Sequence, residues 1–100
     1  MNARKTIIQM LRQLLKEMEI VSSQGAGYYT TVPFARRYNK LLEAARKALS
    51  DSNPIVETFE DIDETDPRDP SEKGNKLLGI RVEISQLISL LESSLEMETQ

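Results

Sequence analysis

From Ile7 onward the apolar residues fall at Ile7, Leu11, Leu14, Met18 and Val21, steps of four and three that draw one stripe along a helix. Ile8 and Leu15 widen the stripe, while Gln9, Arg12, Gln13, Lys16, Glu17 and Glu19 fill most other positions, so the spacing predicts an amphipathic helix over 3–21. Ser22, Ser23, Gln24, Gly25, Ala26 and Gly27 favour turns over continued helix, and a loop is expected over 22–31.

A second helix is expected over 32–50. Thr31 offers a hydroxyl to cap free amides, and Pro33 stands in the first turn, where a missing N–H costs little. At 100° per residue, Phe34, Ala35, Tyr38, Leu41, Leu42, Ala45, Ala48 and Leu49 fall within about 140°, away from Arg36, Lys40, Glu43 and Lys47. Asn53 and Pro54 repeat the cap-then-proline signal. Ile55, Phe59 and Ile62, with Val56 alongside, then predict a short acidic helix over 54–62. Pro67 and Pro70 rule out a regular continuation, which makes 63–69 a bend or extended connection.

Asp69 followed by Pro70 and Glu72 has the spacing of a capping box and sets the start of a last helix over 70–95. Its stripe is Leu77, Ile80, Ile84, Leu87, Leu91 and Leu95, with Ile88 beside it. Gly74 and Gly79 each weaken a helix by about 0.5–1 kcal/mol relative to Ala, so a close backbone approach or a bend is expected there.

No run alternates as a strand would, and the class is all-α. Three main helices plus the short acidic one are expected to close a small antiparallel bundle, one domain over 1–100. Met10, Leu78, Val82 and Leu90 lie off the principal stripes and ask for a second buried surface. A chain this short buries only about 60–65% of the surface its unfolded form exposes, so a homodimer or a higher even oligomer is expected, built on the first and last helices.

Composition narrows the chemistry. The chain has 100 residues with no Cys and no His. Disulfides, thiol nucleophiles, imidazole bases and Cys/His zinc frameworks are therefore excluded, and no cofactor is expected. The longest apolar run falls far short of the roughly 18–20 residues that cross a bilayer, so no membrane association is expected, and with no cysteine the expected location is cytoplasmic. Net charge is −3, but residues 1–50 carry a balance of +6 and residues 51–73 a balance of −7, which makes the molecule electrically two-sided.

The acidic stretch 57–72 is one candidate site. Asp61, Asp63, Thr65, Pro67, Asp69 and Glu72 stand at offsets 1, 3, 5, 7, 9 and 12, as the ligands of a helix-flanked calcium loop do. Against that reading, Asp66 replaces the turn glycine, Arg68 replaces an apolar residue, and Asp69 with Glu72 already serves as a cap pair. A solvated acidic connector is the simpler reading, with Asp61, Asp63, Asp69 and Glu72 as the candidate metal ligands. Glu57, Glu60, Asp61 and Glu64 also have helical i, i+3, i+4, i+7 spacing, which would suit a magnesium-dependent nucleotide hydrolase. The other helices offer such a centre isolated carboxylates such as Glu17, Glu19, Glu43 and Glu83.

The second candidate is the basic face of helix two, Arg36, Arg37, Lys40, Arg46 and Lys47, with Tyr28 and Tyr29 before it as stacking platforms for nucleic acid. Glu43 interrupts that face, the whole chain is acidic, and the acidic segment after it is positioned to neutralise it internally. Tyrosines at the start of a helix more often cover the end of a core. Gly25-Ala26-Gly27 lacks the strand and the Gly-Lys-Ser of a phosphate loop. Together these features describe a non-catalytic helical protein that self-associates and meets a protein partner. A nucleic-acid-associated regulator and a metal-dependent hydrolase are the alternatives.

Overall fold

Asn2 starts α1 (Ala3–Ser22): its side-chain oxygen accepts the Arg4 amide at 2.9 Å, replacing one of the partners that a helix start lacks. The structure is a computed structural model and describes residues 2–25, 29–49 and 52–98. The features expected at Ala26, Gly27, Tyr28 and Ser50 lie outside those residues. After α1 the amides of Ser23 and Gln24 fold back onto Glu19 and Val21, and Gly25 then takes φ 90°, a left-handed turn that a Cβ would strain.

α2 covers Val32–Leu49. Thr30 supplies the hydroxyl that accepts the Val32 amide at 3.3 Å. The Thr31 hydroxyl, expected in that role, instead donates to the Asp66 carboxylate at 3.1 Å, and its backbone N–H does the same at 3.0 Å. Thr31 is completely buried, so its hydroxyl needs such a partner.

The acidic helix expected over 54–62 is shorter and of another type. Asn53 caps a 3₁₀ helix, Pro54–Thr58, which ends when the Thr58 hydroxyl donates back to the Ile55 carbonyl at 2.7 Å. Residues 59–67 have no regular secondary structure: the Phe59 carbonyl and both backbone groups of Ile62 find side-chain partners on α2 instead. We call 59–69 the strap. Asp69 then receives the Ser71 amide on its side chain at 3.1 Å and starts α3 (Pro70–Glu98), three residues longer at its end than the periodicity suggests.

Helix directions are set by the ties between them. Arg4 reaches the Ala48 carbonyl and the Ser52 hydroxyl, both at 3.3 Å, so α1 begins where α2 ends. Arg12 meets Glu92 at 2.6 Å and Arg81 meets Glu19 at 3.9 Å, so α1 and α3 are antiparallel. Lys73, in the first turn of α3, donates to the Tyr29 carbonyl at 3.0 Å just ahead of α2. α2 and α3 therefore run the same way, and the bundle is not antiparallel throughout. The strap is the cause, since it carries the chain back along α2 before α3 begins. From the Arg46 contact to the Thr31 contact α2 rises about 23 Å at 1.5 Å per residue, and strap residues 59–66 span about the same at 3.3 Å per residue.

The three stripes meet in one core. Leu11, Met18, Tyr38, Leu42, Leu49, Ile84, Leu87 and Leu91 are completely buried, and Val56 of the 3₁₀ helix joins them. Burying each large aliphatic side chain contributes about 1.5–3 kcal/mol, so this shared core dominates stability. Gly74 and Gly79 are exposed, and no neighbouring atom lies within 4 Å of where a methyl group would stand, so the expected close backbone approach is not there. Among the described residues no helix is long and apolar enough to cross a membrane.

Candidate functional site

Two surfaces carry features that the core does not account for. The first is the outer side of α3. Leu78 is 57% exposed and Val82 49%, although both sit in well-formed helix. With Leu15, Glu19, Arg81, Ser85 and Gln86 they line a groove of about 510 Å³ between α1 and α3. From 84 to 91 the helix carries no charge, so its outward residues there are Ser85, Gln86 and Ser89. Met10 is also exposed, at 42%, but lies outside this groove, on the flank of α1 that continues from Thr6 and Ile7 beside α2. Leu90 differs from the other three. It is half-buried against the chain's own core and is part of the internal packing.

The second surface is the seam where the strap crosses α2. Asn39 is its centre. Its side-chain oxygen accepts the Ile62 amide at 2.8 Å, while its nitrogen donates to the Ile62 carbonyl at 2.7 Å and to Glu64 at 3.1 Å. On one side Arg46 donates to the Phe59 carbonyl at 2.7 Å and pairs with Asp61 at 3.1 Å. On the other, Arg36 pairs with Glu64 at 3.3 Å, and Asp66 sits at the start of α2 between Thr31 and the Lys73 ammonium, the latter at 3.3 Å. Lys76 donates to the Thr65 carbonyl.

These contacts change acidity. The Asn39 amide, then the Arg36 guanidinium, hold the Glu64 carboxyl below its ordinary range. The Thr31 amide is the main cause of the same shift at Asp66, with Lys73 and the Thr31 hydroxyl adding to it. Asp63 is lowered by the Thr65 hydroxyl and amide, which it accepts at 2.9 and 3.1 Å in a closed local turn. Tyr38 is completely buried below the seam, and burial first, with the negative charge of Glu83 second, pushes its phenol well above the ordinary value.

The metal candidates are dispersed by the same contacts. Asp61 faces Arg46, Asp63 faces Thr65, and Asp69 caps α3, with Glu72 exposed in the first turn of that helix. Glu57 lies in the 3₁₀ helix while Glu60, Asp61 and Glu64 lie on extended chain, so the four do not share a helical face. Among the described residues no group of three or more carboxylates is placed to hold a metal ion. Of the basic face, Arg36 and Arg46 turn to the strap. Arg37, Lys40 and Lys47 are exposed, Lys40 close enough to Glu64 to favour its ionised form further and Lys47 beside Ala44 and Ala48 on the α1 side. Tyr29 packs half-buried against the core, as a core-covering tyrosine does.

Sequence reasoning passed over Asn39, although a signal was present: it is a poor helix former in mid-helix, at the edge of the apolar arc. Compared with known proteins, the chain matches no family model, no curated protein and no solved structure.

Proposed function

We propose that this chain is a non-catalytic interaction protein that pairs with a second copy through the outer side of α3 and works in the cytoplasm as a helical scaffold for a protein partner. The observation that supports this is the exposure of Leu78 and Val82 beside a groove, on a helix side free of charge from 84 to 91. Charge also changes sign along α3: Lys73, Lys76 and Arg81 outnumber Glu72 and Glu83 in its first half, while Glu92, Glu96 and Glu98 are the charged residues of its second. Two copies of the helix laid antiparallel therefore set unlike charges against each other at both ends. The expected absence of catalysis rests on the lack of Cys and His and on the dispersal of the carboxylates.

Sedimentation at micromolar concentration tests the reading. A dimer is expected, and Leu78→Glu together with Val82→Glu should return the 11.4 kDa species with unchanged helical circular dichroism. A wild-type chain sedimenting only as the 11.4 kDa monomer overturns it.

A further inference from the structure

The seam between the strap and α2 is built almost wholly from donors on the bundle side. Thr31 contributes its N–H and hydroxyl, Arg36 and Arg46 their guanidinium groups, Asn39 its amide nitrogen, and Lys73 and Lys76 their ammonium groups. Every one of these points at a carboxylate or carbonyl oxygen or sits within ion-pair distance of one. Among the described residues of α2 and α3 a single acceptor answers in return, the Asn39 oxygen that takes the Ile62 amide. An extended peptide offers alternating donors and acceptors, so a surface made to recognise one needs both. A nucleic-acid backbone offers acceptors and negative charge alone, and a row of donors answers it.

We propose that strap residues 59–66 are an anionic cover held within the chain, and that the flank of α2 beneath it, Arg36, Asn39, Lys40 and Arg46 with Thr31 at its end, binds the phosphodiester backbone of a nucleic-acid strand when the strap is displaced. Asp61, Glu64 and Asp66 stand where phosphates would lie. The Arg36–Glu64 pair is half-exposed on both sides and Asp61 is 64% exposed, and exposed pairs of this kind exchange readily with competing ions. Phe59 and Ile62 are only half-buried, so the strap is fastened mainly by charge and hydrogen bonds rather than by a deep apolar anchor. The anchor that would stay in place is Val56, fully buried in the 3₁₀ helix ahead of the strap. This inference is independent of pairing through α3.

The test compares two variants of equal net charge. In one, Asp61→Asn, Glu64→Gln and Asp66→Asn weaken the cover. In the other, Glu57→Gln, Glu60→Gln and Glu72→Gln remove three exposed carboxylates that, unlike Asp61, Glu64 and Asp66, form no ion pair or hydrogen bond with α2 or Thr31. Fluorescence anisotropy with a labelled single-stranded DNA of about 20 nucleotides at about 20 mM salt should find the first variant binding at least about tenfold tighter than the second, with the gain fading as salt rises. Adding Arg36→Ala and Arg46→Ala to the first should remove the gain. Equal affinity of the two variants overturns the proposal, and so does a weakened-cover variant that takes up polyglutamate as tightly as DNA, which would mark a general attraction for acidic polymers. Hydrogen exchange on the unaltered chain gives a reading free of any folding defect. Saturating DNA should speed exchange of the Ile62 amide, which loses its acceptor on Asn39 when the strap lifts, and unchanged or slower exchange there overturns the proposal.

Discussion

Replacing Asn39 by Ala removes the residue that ties the strap's backbone to α2. Three hydrogen bonds go with it, and two of them leave the amide and carbonyl of half-buried Ile62 without their partners. An intramolecular hydrogen bond contributes about 0.5–1.5 kcal/mol net, and a polar group left unpaired away from water costs about 1–3 kcal/mol. Ile62 is half-exposed to water, which favours the lower figures, and the lost bond to exposed Glu64 adds little. The expected destabilisation is therefore about 2 kcal/mol, equivalent to a drop in Tm of roughly 8 °C for a chain of this size. Urea unfolding measures it directly, and hydrogen exchange of the Ile62 amide locates it. Asn39→Asp serves as the companion. It keeps the acceptor for the Ile62 amide but loses both donations and sets a second carboxylate beside Glu64, so it should cost at least as much as the alanine. A midpoint unchanged in both variants, with the Ile62 amide as protected as before, would refute the idea that side-chain bonding rather than local propensity holds the strap extended.

Gly79→Ala should stabilise the chain by about 0.5–1 kcal/mol, because the site is helical, exposed and open to an added methyl; destabilisation in urea unfolding would mean that the backbone there is needed bare. The strap also sets a pH dependence. Asp63, Glu64 and Asp66 have folded pKa values below their ordinary 3.8, 4.5 and 3.8, so what they contribute is complete above those values and is lost as pH falls through the lower folded ones. The urea midpoint should hold from about pH 7 to 5 and fall below about pH 4, and the fall should be shallower in a variant carrying Asp63→Asn, Glu64→Gln and Asp66→Asn, an equal fall in both counting against the assignment.

The helices were legible because burial acts on each one locally. Ile7, Leu11, Leu14 and Met18, or Tyr38, Leu42, Ala45 and Leu49, recur at the helical period whatever they pack against, and all are buried. Caps were legible for the same reason, since Asn53 and Asp69 act on amides two residues away. The path of 59–69 was not. Ile55, Phe59 and Ile62 have helical spacing, but Asn39 and Arg46 offer that backbone better partners from 23 and 13 residues away, and no local pattern encodes a bond of that reach. The parallel course of α2 and α3 was hidden by the same segment, because a compact turn in its place would reverse the last helix. Leu90 shows the other limit: its place on a helical wheel puts it outside the main stripe, yet the way α3 settles on its neighbours half-buries it against the core.

A strap drawn out beside a helix works as a gauge. α2 lengthens by about 5.4 Å for each added turn, and an extended chain needs between one and two more residues to cover that distance. Insertions in α2 and in 59–66 are therefore coupled. One made alone slides Asp66 off Thr31 and leaves a buried hydroxyl and the Lys73 ammonium without their shared carboxylate. Lengthening the bundle while keeping its registration requires both segments to grow together.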